Sequence, residues 1–446
     1  MLKQGKVVSL GIQHVLAMYA GAVIVPILVA VSLGMDQKQL TYLISIDLLT
    51  SGLATLLQVW TNRFFGIGLP VVLGCTFTAV APMISIGQHQ GITAIYGAII
   101  ASALFVILIS GVFSKLVRFF PPVVTGSVVM IIGLSLIPVA MNNIAGGDDT
   151  LPDYGSGKHV ALAFGVLILI ILLNRFTKGF LRAVSILIGL IAGTIAAALM
   201  GQIDFGEVSQ ASWVSANIHP FYFGAPTFNL SAILTMILVS IVSLVESTGV
   251  FMALGKITDR KLESKDLAKG YRAEGLAMLL GGTLNALPYT TFSQNVGLVQ
   301  MSKIKTKNVI IVAGILLVLL GLSPKVAALT SLIPSPVLGG AMIAMFGMVI
   351  SSGIQILGGV DLNDNENLFI IACSVGIGLG VTIMPGIFAS LPEQLEILAS
   401  NGIVMGGLAA ILLNLMFHAG KSKLASTSKD ASAEGSAPTA SSEVHA

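Results

Sequence analysis

Long hydrophobic runs, parted by short polar or Gly/Pro-rich breaks, repeat along almost the whole chain. Fourteen can be counted, at residues 10–33, 39–60, 67–86, 90–113, 121–139, 159–174, 180–201, 230–254, 269–286, 290–302, 308–322, 334–351, 367–385 and 400–418. A stretch of about 20 apolar residues crosses the hydrocarbon core of a bilayer as a helix. The pattern therefore predicts an all-α membrane protein with fourteen transmembrane segments. The third and tenth segments are short and interrupted. The tenth follows Pro288 and carries Gln294, Asn295 and Gly297. Broken backbone at membrane depth is tolerated only where protein buries it or where it lines a cavity.

The charges fix an orientation. With fourteen spans and the N-terminus inside, all of the 23 Lys and Arg except Lys38, Lys158 and Lys325 fall on the cytoplasmic side, as the positive-inside rule requires. Both termini are then cytoplasmic. The first apolar stretch lacks a small-residue cleavage site, so it reads as a span and not as a signal peptide. Charged residues make up 10% of the chain and hydrophobic ones 55%, against about 25% charged in soluble domains. Cys75 and Cys373 both lie in apolar segments, which argues against a disulfide framework and a cysteine metal site. The basic residues follow topology, so no nucleic-acid partner is expected. Residues 421–446 are rich in Ser, Ala, Lys and Glu and read as a disordered cytoplasmic tail.

The chain repeats itself. The stretches that begin at Pro122 and Pro336 share the proline, the next valine, and glycines four and eleven positions on, at an offset of 214 residues. A weaker echo relates LPVVLGCTF, ending at Phe77, to LPYTTF, ending at Phe292. Seven spans per half is odd, so the halves must be inverted. Inverted repeats build transporters whose substrate site sits near the midplane, at interrupted helices from both halves.

A carboxylate at that depth is costly and by default functional. Glu246, in the eighth segment, is a fixed acceptor for N–H groups of a planar ligand, or a proton site. Gln294 offers a donor and an acceptor together, which pairs with a lactam edge. Asn295 beside it serves either the ligand or interhelical packing. Thr76 and Phe77 occupy the matching break of the first half, where an aromatic can stack on a planar ring or simply pack. His14 is an interfacial residue, a brace for the site, or a proton relay. Glu274 is a second proton candidate or an ion-pair partner of the basic loop, and Asp47 is a weaker one. No nucleophile–base pair or metal-ligand cluster appears at depth, so no catalytic residue and no enzyme is expected.

These motifs resemble the nucleobase–ascorbate transporter family, and within it the bacterial xanthine permeases. The resemblance runs over residues 1 to about 420 and is carried by QH at 13–14, ESTG at 246–249, AEGL at 273–276 and TFSQNVGLVQMSK at 291–303. It implies seven plus seven inverted repeats, divided into a core that holds substrate (1–120 and 226–322) and a gate that also forms a homodimer (121–225 and 323–420). It implies that Glu246 binds the base, that Thr76 and Phe77 line it, that His14 supports the site, and that Glu274 takes part in proton coupling. Glutamine at the Gln294 position accompanies xanthine and urate, whereas glutamate accompanies uracil. The chain departs from relatives at Val250, where aspartate is found, at the Ser302–Lys303 pair, and at Thr76, where asparagine is common.

The sequence thus reads as a proton-coupled importer of an oxidised purine, xanthine first, in the bacterial plasma membrane. It needs no cofactor other than the coupling proton; its partners are a purine base, the lipid bilayer and a second copy. The alternatives are a uracil or urate permease of the same family, and an anion exchanger of the same architecture.

Overall fold

Helix α1 (Gln4–Ser32) and helix α2 (Gln37–Val59) open the computed structural model, which describes residues 4–116, 120–215 and 218–418. Asp36 starts α2 by accepting the Gln39 N–H at 2.8 Å, while the Gln39 side chain accepts the Asp36 N–H at 3.0 Å, a reciprocal cap. Strand β1 (Leu73–Cys75), a 3₁₀ turn (Phe77–Ala79) and α3 (Val80–Gln90) follow. Then come α4 (Ile92–Leu116), α5 (Pro122–Ala145), α6 (Gly157–Phe176), the single turn α7 (Phe180–Ala183), α8 (Ser185–Leu199) and α9 (Gly206–Gln210). The second half holds α10 (Leu230–Ile257), α11 (Ser264–Leu284), β2 (Tyr289–Thr291), α12 (Ser293–Ser302) and α13 (Asn308–Gly321). It ends with α14 (Pro324–Thr330), α15 (Ser335–Leu357), α16 (Asn365–Ile383), α17 (Glu393–Ala399) and α18 (Gly402–His418).

Among the described residues, eight helices are long and apolar enough to cross a membrane, or nine if α13 and α14, bent by 84°, count as one. The tail expected at 421–446 lies outside the described residues.

The interrupted segments depart from the all-α expectation. β1 and β2 pair antiparallel, with Leu73 opposite Thr291, Gly74 opposite Thr290 and Cys75 opposite Tyr289. Thr76 N–H donates to the Pro288 carbonyl at 2.9 Å, and Phe292 N–H to the Val72 carbonyl at 3.0 Å. The reason is hydrogen-bond supply: extended backbone far from water must find partners, and each break satisfies the other. Glycine permits the closeness. A Cβ on Gly74 would lie 2.3 Å from the Phe292 ring, and one on Gly21 of α1 would lie 2.5 Å from it.

Two packing groups emerge. α1, α2, α10 and α11 pack against the paired breaks with α4 and α13 behind them, while α5, α6, α8, α15, α16 and α18 pack with one another. The helices that begin at the repeated prolines, α5 and α15, face each other. A Cβ on Gly126 would lie 2.6 Å from Leu357, one on Gly133 2.6 Å from Ile350, and one on Gly339 2.5 Å from the Ile144 nitrogen. As numbers rise along α5 they fall along α15, so the pair is antiparallel. Small residues let the two backbones approach, the usual device where lipid removes the hydrophobic drive between helices.

Candidate functional site

A cavity of about 40 Å³ lies where the two packing groups meet at the paired breaks. One wall is Cys75, Phe77, Glu246 and residues Thr290 to Gln294; the other is Val129 of α5 with Val349 and Ser352 of α15. Glu246 sits mid-helix on α10. The Thr78 hydroxyl reaches toward its carboxylate without completing a hydrogen bond. Gln294 belongs to the first turn of α12, whose N–H groups have no partners within the helix. That helix end carries partial positive charge toward a cavity holding one carboxylate. Phe77 faces the same space and meets Phe346 of α15 edge to face, with ring centroids 5.7 Å apart.

Behind this wall runs a network of buried hydroxyls. Ser247, next to Glu246, lies 3.1 Å from the Thr290 hydroxyl and accepts from Thr291 Oγ1 at 3.2 Å. Glu274 of α11 is buried and approaches the same Ser247 side chain, while its Oε1 has no hydrogen-bond partner. It is not paired with the basic loop: among the described residues it forms no ion pair. Asp47 of α2 accepts the Leu287 N–H at 2.8 Å and the Tyr289 hydroxyl at 3.4 Å. Thr50, one turn on, bonds the same tyrosine hydroxyl. Asp47 is therefore a staple for the second break, one layer behind the cavity.

The seven sequence-derived site residues do not all converge. Glu246, Gln294 and Phe77 line the cavity. Thr76 is buried beside it and works as a cap, its hydroxyl accepting the Thr78 N–H at 3.3 Å. Asn295 turns away: its Nδ2 donates to the His14 ring at 3.0 Å and to the His14 carbonyl at 3.1 Å. His14 thus anchors α12 through Asn295 and touches neither Glu246 nor Gln294 by a hydrogen bond. Glu274 stands behind the wall. Sequence reasoning missed Thr290, Thr291, Ser293 and Ser352. The first three sit inside the motif already singled out, where Thr and Ser between a proline and an amide pair were a legible signal. Ser352 offered only a hydroxyl late in a repeated helix.

Comparison with known proteins places the chain in a family. The sequence profile of a permease family matches residues 5–387. The chain is 61% identical to the xanthine permease of Bacillus subtilis (strain 168), over 93% of this chain and 94% of that one. It is 63% identical to the uric acid permease PucK of the same organism, over 93% and 96%. In fold it is similar to the transmembrane domain of a cyanobacterium bicarbonate transporter, BicA, with a TM-score of 0.63 and 16% identity over 92% of this chain and 97% of that one. The chain belongs to the permease family of nucleobase–ascorbate transporters and is an integral membrane transporter, not an enzyme.

Proposed function

We propose that this protein imports an oxidised purine, xanthine first, together with a proton across the bacterial plasma membrane. The observation that carries the reading is the meeting of the Glu246 carboxylate, the Gln294 amide and the Phe77 ring in one cavity between two packing groups. Glu246 accepts N–H donors of the base, Gln294 pairs with a lactam edge, and Phe77 stacks on the ring. Relatives named for xanthine and for uric acid are alike in identity, so urate remains the second substrate to test. The bicarbonate transporter is similar in fold alone. Its chemistry does not transfer, and a cavity built around a carboxylate is a poor site for a small inorganic anion, which lacks the ring N–H donors of a purine.

In this reading the chain crosses the bilayer fourteen times, as two inverted repeats of seven with both termini inside. The antiparallel pairing of β1 with β2 and of α5 with α15 supports the inversion. Residues 1–120 and 226–322 act as the core and 121–225 with 323–420 as the gate, the gate also forming the homodimer. A space of about 40 Å³ holds only about three water molecules, so a bicyclic base enters when α5 and α15 withdraw. A neighbouring apolar cavity of about 230 Å³ between α10 and the ends of α5 and α15, lined by Pro122, Val245 and Met252 among others, supports release along the same seam. Glu246, or Glu274 behind Ser247, carries the proton, with no other cofactor. If the proton favours substrate, substrate favours the proton equally.

The test is radiolabelled xanthine uptake in cells lacking purine permeases, with and without a protonophore, against excess uracil, urate and guanine. Protonophore-sensitive uptake blocked by oxidised purines is expected. Uptake that uracil competes best, or that ignores the protonophore, overturns the substrate or the coupling respectively.

A further inference from the structure

A cavity of about 120 Å³ lies farther along the line on which the two packing groups meet, and it shares no lining residue with the central one. One wall is Ala81 and Ser85 of α3; the other includes Ser135 of α5, Thr382 of α16 and Asn401 at the start of α18. α3 packs on α1, α4 and α10, so each group contributes a wall. The same elements tie this cavity to the central one. Phe77 lines the central cavity, and Ala81 and Ser85 follow it at intervals of four. On α5, Val129 lines the central cavity and Ser135 lines this one, about 9 Å farther along at 1.5 Å per residue. α5 thus passes three cavities in turn: the apolar one at Pro122 and Thr125, the central one at Val129, and this one at Ser135.

The walls are polar but carry no charge among the described residues. Asn401 is their sharpest feature. Its Oδ1 accepts the Val404 N–H at 3.0 Å, which caps α18 and fixes the amide. Only 6% of Asn401 is exposed. Its Nδ2 nevertheless gives no hydrogen bond among the described residues, and it is not shut off from the cavity it lines. On the opposite wall the Ser85 hydroxyl is likewise open and without a partner among the described residues. The Ser135 and Thr382 hydroxyls lie 3.0 Å apart and join α5 to α16. A buried donor ordinarily finds an acceptor, and these walls supply none to Asn401. A free N–H faced by a free hydroxyl suits a ring carbonyl with an N–H beside it. A cation finds no carboxylate here, and an anion finds no positive charge. By the measure that gives the central cavity about three water molecules, this one takes about ten, the bulk of a bicyclic base.

We infer that this cavity is a second binding site, where the incoming base rests by a lactam edge on Asn401 and Ser85 before it reaches Glu246. The inference rests on the substrate proposed above, and its outer placement on the topology proposed there, in which α5 runs outward from Pro122.

A membrane-impermeant maleimide tests this on cells that make the full chain with Cys75→Ser, Cys373→Ser and Ala81→Cys, which puts one thiol in the outer cavity. Labelling from outside is expected. Xanthine at about four times its dissociation constant for this site should slow it about fivefold. Glu246→Gln disables the central site and should leave that protection intact. Asn401→Asp keeps the acceptor that caps α18 but loses the free donor, and Ser85→Ala leaves the cap untouched. Each should weaken the protection while the rate without xanthine stays the same. No labelling from outside, protection that disappears with Glu246→Gln, or full protection after Asn401→Asp overturns the site. Xanthine uptake by the unmutated chain is read in the same cells. Its absence overturns the substrate reading and this site with it, whereas lost protection beside intact uptake overturns this site alone.

Discussion

Gln294 and a glutamate in its place differ by one donor group: the amide both gives and accepts hydrogen bonds, whereas the carboxylate only accepts. The cavity already holds the Glu246 carboxylate, so Gln294→Glu would put two acceptors in one small space. Xanthine uptake should fall about thirtyfold or more, the effect of losing about 2–5 kcal/mol at a buried hydrogen-bonded site, while competition by uracil rises. Unchanged competition would remove Gln294 from selectivity. Glu246→Gln should abolish uptake with the protein still in the membrane, and retained uptake would remove Glu246 as the binding carboxylate. Asp47 gives a contrasting expectation because it acts on the backbone. Asp47→Ala strands the buried Leu287 N–H, so thermal unfolding in detergent should show a loss of about 1–3 kcal/mol. Asp47→Asn keeps an acceptor and should recover most of it; equal losses would show that the charge, not the bond, matters.

The paired breaks show what the element scale adds. Gly21 and Gly74 flank the Phe292 ring so closely that a methyl group on either has no room. Gly74→Ala should destabilise by about 1–3 kcal/mol through overpacking, and Phe292→Leu should restore part of it in the double variant. Additive losses would mean that the ring is not what Gly74 accommodates. The sequence disclosed the breaks themselves, because Pro288 and an amide pair stand out in an apolar run. It disclosed neither the strand pairing nor its register, since three residues carry no periodicity. It gave Gln294 to the ligand but left Asn295 between ligand and interhelical packing, and only the turn of α12 sends one to the cavity and the other to His14. Glycine spacing did reveal the α5–α15 kinship, because close helix packing needs small residues at fixed intervals.

At the scale of the whole molecule, the central cavity lies between the two packing groups, and its accessibility tests the proposal that they part. Cys75 is suited to measure this. It is a free, buried cysteine lining the seam, and the other cysteine, Cys373 on α16, can be replaced by serine so that one thiol remains. With the groups closed, a maleimide cannot reach Cys75 through a space of about 40 Å³. Modification must then wait for α5 and α15 to withdraw, and it should run far slower than in denatured protein. On the proposed reading, a base bound against Glu246 and Gln294 would occupy the path to the thiol. Xanthine at ten times its dissociation constant should therefore slow labelling about tenfold, since the free fraction falls by one plus the ligand-to-constant ratio. Glu246→Gln should cancel this protection while leaving the ligand-free rate unchanged, which separates occupancy of the cavity from a change in gating. Labelling as fast as in denatured protein would mean the seam stands open. No labelling in membranes that transport would mean that the two groups part somewhere other than at the paired breaks.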